Sequence, residues 1–320
     1  MRDTHKIKFI KICSELGAGV RGSSKAFEGL KKAAHKKNSS LFDHFEIISI
    51  KDENESLLKN ISFPNAKRIK HVHTVLNRVY REVYNQLNKE VFPILLSGDH
   101  SIAAGTLAGI KSAFPSETLG VVWIDAHADL HTPYTTPSGN MHGMPLAASL
   151  GLDQLQHAQN NPKSEVLTLW DNIKSLGNIS PKIHSENLIY VGLRDTEWQE
   201  EHLIKTMNIQ NYTVDFIRKN GGVSTAESIL NQLVNCHRIY ISFDVDVFDD
   251  SLSLGTGTPS PKGLFLREVI NLINRLVKSE KICCFEIVEI NPLIDNKGNT
   301  MAEMGFDVLN TFVHTLSTLK

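Results

Sequence analysis

The 320-residue chain predicts an α/β protein with a mostly parallel sheet, and three observations carry that expectation. Short apolar, β-branched runs recur along the chain, each followed by a glycine, aspartate or histidine and then by a helical stretch, which is the alternation of a parallel sheet wrapped by helices. The aspartates and histidines with the look of ligands fall just past the ends of those runs, where open parallel sheets bind their ligands. Hydrophobic residues make up 41% of the chain, enough for one large core.

The runs, in order, are residues 7–13, 45–50, 92–96, 119–124, 188–191, 239–243 and 282–288. Between the second and third lies the clearest helix, 65–90, where Ile69, Val72, Leu76, Val79, Val83 and Leu87 are spaced to bury one stripe. His71 and His73 lie beside or off that stripe and are expected on the surface. Residues 160–181 are less periodic and contain two prolines, so they are expected to form a surface excursion with a short helix over 167–176. A final helical stretch, 306–319, leaves no expected C-terminal arm. With no internal repeat or linker in view, residues 1–320 are expected to form a single domain.

A net charge of −1 offers no basic field to nucleic acid and no polybasic segment to an anionic membrane, which favours small-molecule chemistry. The first apolar run is too short and interrupted for a signal peptide, and a cytoplasmic location is expected. Cys13, Cys236, Cys283 and Cys284 have no C-x-x-C spacing and are expected to be buried, reduced thiols. The segment from Gly17 to Gly22 satisfies G-x-G-x-x-G between a strand and a helix. The first acid after the next strand, Asp52, comes about thirty residues on, where a dinucleotide site wants about twenty. The segment is therefore read as a turn with a helix entrance.

The chemistry sits in three places. Asp125-Ala126-His127-Ala128-Asp129 follows one apolar run, Asp244-Val245-Asp246 another, and Gly98-Asp99-His100 a third. In extended backbone alternate side chains share a face, so Asp125, His127 and Asp129 converge, as do Asp244 and Asp246. Acids and imidazoles crowded together need cations among them. Oxygen-rich, partly nitrogen ligation without cysteine suits manganese better than a structural zinc. His100, Asp125, His127, Asp129, Asp244 and Asp246 are too many donors for one catalytic ion with an open position, so a pair is expected, and with it metal-assisted hydrolysis.

Six segments taken in order carry a family resemblance: Ser97-Gly98-Asp99-His100-Ser101, Trp123-Ile124-Asp125-Ala126-His127-Ala128-Asp129, Ser138-Gly139-Asn140-Met141-His142-Gly143-Met144-Pro145, Ser242-Phe243-Asp244-Val245-Asp246, Gly255-Thr256-Gly257-Thr258-Pro259 and Glu289-Ile290-Asn291-Pro292. Together they resemble the arginase and agmatinase (ureohydrolase) family over nearly the whole chain, and the Ser-Gly-Asn-x-His-Gly segment resembles arginases in particular. The resemblance implies a three-layer α/β/α fold and two Mn2+ ions per subunit. One ion would be held by His100, Asp125, Asp129 and Asp244, the other by Asp125, His127, Asp244 and Asp246. It further implies attack of a metal-bridging hydroxide on the guanidinium of L-arginine to give L-ornithine and urea. Asp129 would pass a proton to the leaving amine, His142 would shuttle protons with solvent, and Glu289 would pair with the guanidinium, supported by Thr258. Thr136, Ser138 and Asn140 would receive the substrate α-carboxylate, while residues 194–197 and Glu200 would meet its α-amino group. A homo-oligomer, a trimer or a pair of trimers, is implied as well.

Two positions depart from the family pattern: His131 stands where arginases usually have asparagine, and Glu197 where they usually have aspartate. The parity of His131 with Asp129 turns it toward the same cleft, where it is expected to meet the substrate carboxylate. Agmatinase is the nearest alternative activity, since its decarboxylated substrate would not need Ser138 and Asn140. The related metal-dependent deacetylases share an Asp-x-His element but typically use one zinc and a tandem histidine pair, which this chain lacks. A non-catalytic guanidino sensor would be favoured had any ligand or shuttle position been lost, and none has.

Overall fold

The computed structural model describes residues 6–319. Its strands are β1 (Ile7–Ile12), β2 (Ile47–Ile50), β3 (Phe92–Ser97), β4 (Leu119–Ile124), β5 (Leu188–Val191), β6 (Gln210–Tyr212), β7 (Arg238–Asp244) and β8 (Ile282–Val288). They form one sheet in the order β2-β1-β3-β8-β7-β4-β5-β6, parallel throughout. All seven runs read from the sequence are strands, and no end moves by more than two residues. The additional strand, β6, is a three-residue edge strand, Gln-Asn-Tyr, with no apolar run to announce it.

The connecting helices are α1 (Ala26–Lys36), α2 (Leu41–His44), α3 (Ile69–Asn88), α4 (Ala103–Ala113), α5 (Pro145–Leu150), α6 (Ser164–Lys174), α7 (Trp198–Thr206), α8 (Val214–Asn220), α9 (Gly222–Gln232), α10 (Leu266–Leu276) and α11 (Thr300–Thr318). They cover both faces of the sheet, because side chains alternate along each strand. On β7, Ile239, Ile241 and Phe243 enter the core beneath α1, α9, α10 and α11, whereas Tyr240 enters the one beneath α3 to α6. This is the three-layer α/β/α arrangement. Every residue of β4 is buried, as a strand covered on both faces requires.

Element ends differ from expectation for local reasons. Helix α3 starts at Ile69 rather than at 65, after Arg68 takes a left-handed conformation with φ 58°. His71 lies 3.6 Å from Glu53, and His73 pairs with Asn77; both are half-buried rather than fully on the surface, and neither belongs to a group that could hold a cation among the described residues. Within the 160–181 excursion the helix begins earlier, at Ser164, and buries Val166, Trp170 and Ile173. Helix α11 starts at Thr300, six residues ahead of the expected stretch. None of the four cysteines is in a disulfide; three are buried and Cys13 is half-buried. Among the described residues no helix is long and apolar enough to cross a membrane.

The glycine-rich segment after β1 is a structural turn over the site. Gly17 donates its N–H to Asp99 Oδ2 at 3.0 Å and accepts from His142 N at 3.2 Å. A Cβ at Gly17 would stand 2.4 Å from Asp99 Oδ1, so only glycine permits this approach.

Candidate binuclear metal centre and substrate cavity

Five neighbouring strands, β3, β8, β7, β4 and β5, bring their carboxyl ends to one crevice. His100 follows β3, Glu289 follows β8, Asp244 ends β7, Asp125 follows β4, and Asp195 follows β5. Sheet spacing alone thus gathers residues far apart in sequence within about 20 Å.

The six expected ligands meet there. His100 Nδ1 lies 3.0 Å from Asp125 Oδ2, 3.1 Å from Asp129 Oδ2 and 3.1 Å from Asp244 Oδ2. One ring nitrogen cannot donate to three oxygens, and His100 Nδ1 and Asp129 Oδ2 are both buried without a hydrogen-bond partner. The other ring nitrogen, Nε2, is 2.7 Å from Ser242 Oγ, which sets the ring so that Nδ1 offers a lone pair. His127 Nδ1 lies 2.9 Å from Asp246 Oδ2 and 3.5 Å from Asp125 Oδ1. Its Nε2 is 3.7 Å from Asp195 Oδ2. Two groups, His100 with Asp125 and Asp129 and His127 with Asp125 and Asp246, can each surround a cation. Asp125 belongs to both.

Electrostatics point the same way. Burial, with repulsion from Asp246 and Asp125, pushes Asp244 well above the carboxylate range. Burial and Asp125 push Asp246 up to about 6 and raise Asp129 as well. Burial acts upward on Asp125 too, but its contacts with His100 and His127 outweigh it and hold that carboxyl low. A cluster so crowded cannot be fully ionised by its own histidines, so the donor set fits a pair of divalent cations.

Supporting contacts fix the ligands. Trp123 stacks on His100 with ring centroids 4.0 Å apart and donates its indole N–H to Asp125 Oδ2 at 3.0 Å. Asp246 Oδ2 accepts from Thr258 Oγ1 at 3.2 Å. Asp99, next to His100, is no ligand: it accepts from Gly17 N and Ser101 N and caps the turn that presents His100. Asp129 and Glu289 have φ of 52° and 64°, left-handed conformations that cost non-glycine residues strain and cluster at functional sites.

Beside the ligands opens a cavity of about 430 Å³. His142 lines it, with Nδ1 3.0 Å from Glu289 Oε1, which also accepts from His100 N at 2.9 Å. Although burial acts downward, the charge of Glu289 and its hydrogen bond raise His142 to about 8. Thr136, Ser138, Asn140, Glu197 and Glu200 line the same cavity. Glu200 is fixed by Leu130 N at 3.1 Å and Glu197 N at 3.2 Å, and burial pushes it up to about 7.

His131 lines the cavity, as expected, although the left-handed backbone at Asp129 breaks the alternation behind that expectation; its Nε2 is hydrogen-bonded to Glu197 Oε2 and its Nδ1 lies 3.2 Å from Thr135 Oγ1. The two departures from the family pattern therefore touch each other. Arg194, grouped by resemblance with the amine end, turns instead to backbone: its guanidinium donates to the carbonyls of Asp246 and Ser260, both at 2.9 Å, and of Pro261 at 2.8 Å. It straps the loops after β5 and β7 together. Sequence reasoning gave no role to Ser242, although its parity with Asp244 on one strand was a usable signal.

A buried set of carboxylates and imidazoles at the strand ends of a parallel sheet, beside a solvent-reaching cavity, defines a metal-dependent hydrolase. Comparison with known proteins narrows the class. The sequence model of the Arginase family matches residues 6–314. The arginase of Bacillus subtilis is 33% identical over 255 residues, covering 79% of this chain and 80% of that protein. A crystal structure of the same species' arginase superposes with a TM-score of 0.82 at 30% identity, covering 96% of this chain and 98% of the other. Entamoeba histolytica arginase in complex with L-ornithine gives a TM-score of 0.80 at 27% identity, with 96% and 98% covered. The chain belongs to the Arginase family.

Proposed function

We propose that this protein hydrolyses the guanidinium group of L-arginine to L-ornithine and urea, using two Mn2+ ions in a single cytoplasmic domain. The observation that carries this reading is the convergence of three carboxylate oxygens on the unpartnered Nδ1 of His100, and of two more on His127 Nδ1, beside a cavity of about 430 Å³. His100, Asp125, Asp129 and Asp244 would hold one ion; Asp125, His127, Asp244 and Asp246 the other. Oxygen-rich ligation favours manganese. When bound, such a pair supplies an ionised water at neutral pH.

The residues around them do the rest. Glu289 pairs with the planar guanidinium: both of its contacts above fall on Oε1, leaving Oε2 to the substrate. Addition of the water oxygen to the guanidinium carbon is followed by cleavage of its bond to the side-chain nitrogen. Asp129 would take the proton that the added oxygen gives up and hand it to that nitrogen, so ornithine leaves as an amine and the oxygen becomes the carbonyl of urea. His142, held through Nδ1, exchanges protons with solvent at Nε2. Thr136, Ser138 and Asn140 take the α-carboxylate, and Glu197 and Glu200 face the α-amino group. Thr258 supports Glu289 from the loop that also steadies Asp246.

The presence of Ser138 and Asn140 on the cavity wall favours arginine over agmatine, which has no carboxylate for them to bind. Urea release with manganese, measured across arginine, agmatine and other guanidino acids, tests the reading. The highest kcat/KM is expected for arginine. A higher value for agmatine would replace arginase by agmatinase.

A further inference from the structure

The structure assigns Lys67 the part of a positioning residue for the α-carboxylate of the substrate, acting through the amide of Asn140. This rests on the arginine reading above and deepens it. Lys67 lies before α3, outside every motif, yet it is locked onto the loop that carries Ser138 and Asn140. Its N–H donates to Gly139 O at 2.8 Å, and its Nζ donates to Asn140 Oδ1 at 3.0 Å. The two segments are in direct contact here: Gly139 has φ 75°, and a Cβ on it would stand 1.7 Å from Pro64 O.

An asparagine side chain can present either its oxygen or its NH2, and its neighbours decide which. An ammonium is donor only, so Asn140 Oδ1 must face Lys67 and Nδ2 must face the other way. Space is kept for that NH2. Gly19 lies against it, and a Cβ there would come within 2.6 Å of Nδ2. Asn140 lines the cavity, so a carboxylate arriving there meets a fixed donor polarised by a cation directly behind it. Without the ammonium the amide is free to turn and present its oxygen, which repels a carboxylate. Lys67 therefore contributes to the choice between a guanidino acid and a guanidino amine without touching either.

Lys67→Met keeps most of the aliphatic stem and the backbone bond to Gly139 while removing the charge. Its expected effect is a rise of about tenfold in the KM for arginine, the loss of one charge-assisted contact, with kcat changed less than twofold. The arginine-to-agmatine ratio of kcat/KM should fall by about the same factor, and inhibition by ornithine should weaken in parallel. Lys67→Arg, which keeps a donor-only cation, should recover most of the ratio. Equal changes for arginine and agmatine in Lys67→Met, or no recovery in Lys67→Arg, would overturn the assignment and leave Lys67 a loop staple. Should Lys67→Met fail to fold, Lys67→Leu, which also has no donor, carries the same comparison. Wild-type protein that releases no urea from arginine overturns the parent reading, and this one with it; wild-type activity with an unmoved ratio in the variant overturns this one alone.

Discussion

Replacing Glu289 by glutamine removes one negative charge from the centre of the site and leaves the shape of the side chain nearly unchanged. Glu289 is only 2% exposed, and its Oε1 accepts from His100 N at 2.9 Å and faces His142 Nδ1 at 3.0 Å. A hydrogen bond to a charged partner contributes about 1.5–3 kcal/mol and a neutral one about 0.5–1.5 kcal/mol, so two bonds to a guanidinium lose about 2–4 kcal/mol together. At about 1.4 kcal/mol per factor of ten, kcat/KM for arginine should drop about 30- to 10³-fold. The pH behaviour should change as well. His142 is raised to about 8 against its burial by the charge and hydrogen bond of Glu289, and without that charge its pKa falls. In the wild type the protonated ring stabilises the fold fully below the unfolded histidine value of about 6.5, and this contribution is lost as pH rises through about 8. In Glu289→Gln that slope of stability between about 6.5 and 8 should flatten, and any limb of the kcat profile that follows His142 should move to lower pH. Steady-state kinetics against pH, thermal unfolding against pH and metal analysis check all three. A kcat/KM within threefold of wild type would refute the pairing of Glu289 with the guanidinium. A fall in bound manganese to match would shift the effect to His100, whose backbone Glu289 also holds.

Four further outcomes are expected. Asp246→Ala should lose one metal preferentially and nearly all turnover, measured by metal analysis and urea release; full activity at one ion per chain would exclude a two-ion mechanism. His142→Asn should retain its metals and lose most of kcat, and wild-type turnover in it would end the proton-shuttle assignment. Chelation should lower Tm, because bound metal at a hundredfold over its Kd stabilises the folded state by about 2.7 kcal/mol per ion; an unchanged Tm would mean the ligand cluster is stable empty. Light scattering should give a mass of three or six subunits, and a monomer mass at all concentrations would contradict association.

The meeting of the candidate metal ligands was legible in the sequence because two simple features act together. Close spacing in the sequence keeps Asp125, His127 and Asp129 together although the backbone turns left-handed at Asp129 and a 3-10 turn carries Asp246, so strict strand alternation does not hold there, and the parallel sheet puts the ends of its strands in one crevice. Neither rule depends on distant contacts. Edge strand β6 was not legible, since two polar residues and the single buried aromatic Tyr212 at a sheet margin make no apolar run. The same holds for Lys67, whose partner lies 73 residues away, and for Arg194, whose guanidinium meets carbonyls that any sequence would supply. Side chains that act on backbone or on another side chain's orientation leave no spacing pattern to read.

His131 and Glu197 show where motif comparison and geometry part. Taken separately, each departure weakens the expected reading of the amino-acid end of the substrate: an imidazole replaces a neutral amide, and a longer carboxylate replaces a shorter one. In the fold they are one substitution, because His131 Nε2 is bonded to Glu197 Oε2 across the cavity wall. Burial lowers the imidazole's affinity for a proton, but Glu197 and Glu200 outweigh it and raise His131, while the hydrogen bond from His131 lowers Glu197. The side chain of Glu197 is 51% exposed, so the pair contributes only about 0.5–1 kcal/mol after solvent screening. Its larger effect is on what each group is free to bind. With its Nε2 on Glu197, His131 would in the proposed substrate orientation leave the α-carboxylate to Ser138 and Asn140, and Glu197 would keep only its other oxygen for an amine. A double-mutant cycle with His131→Asn and Glu197→Asp should therefore show coupling in the arginine KM of about two- to fivefold. Strict additivity would mean that the two residues meet the substrate independently.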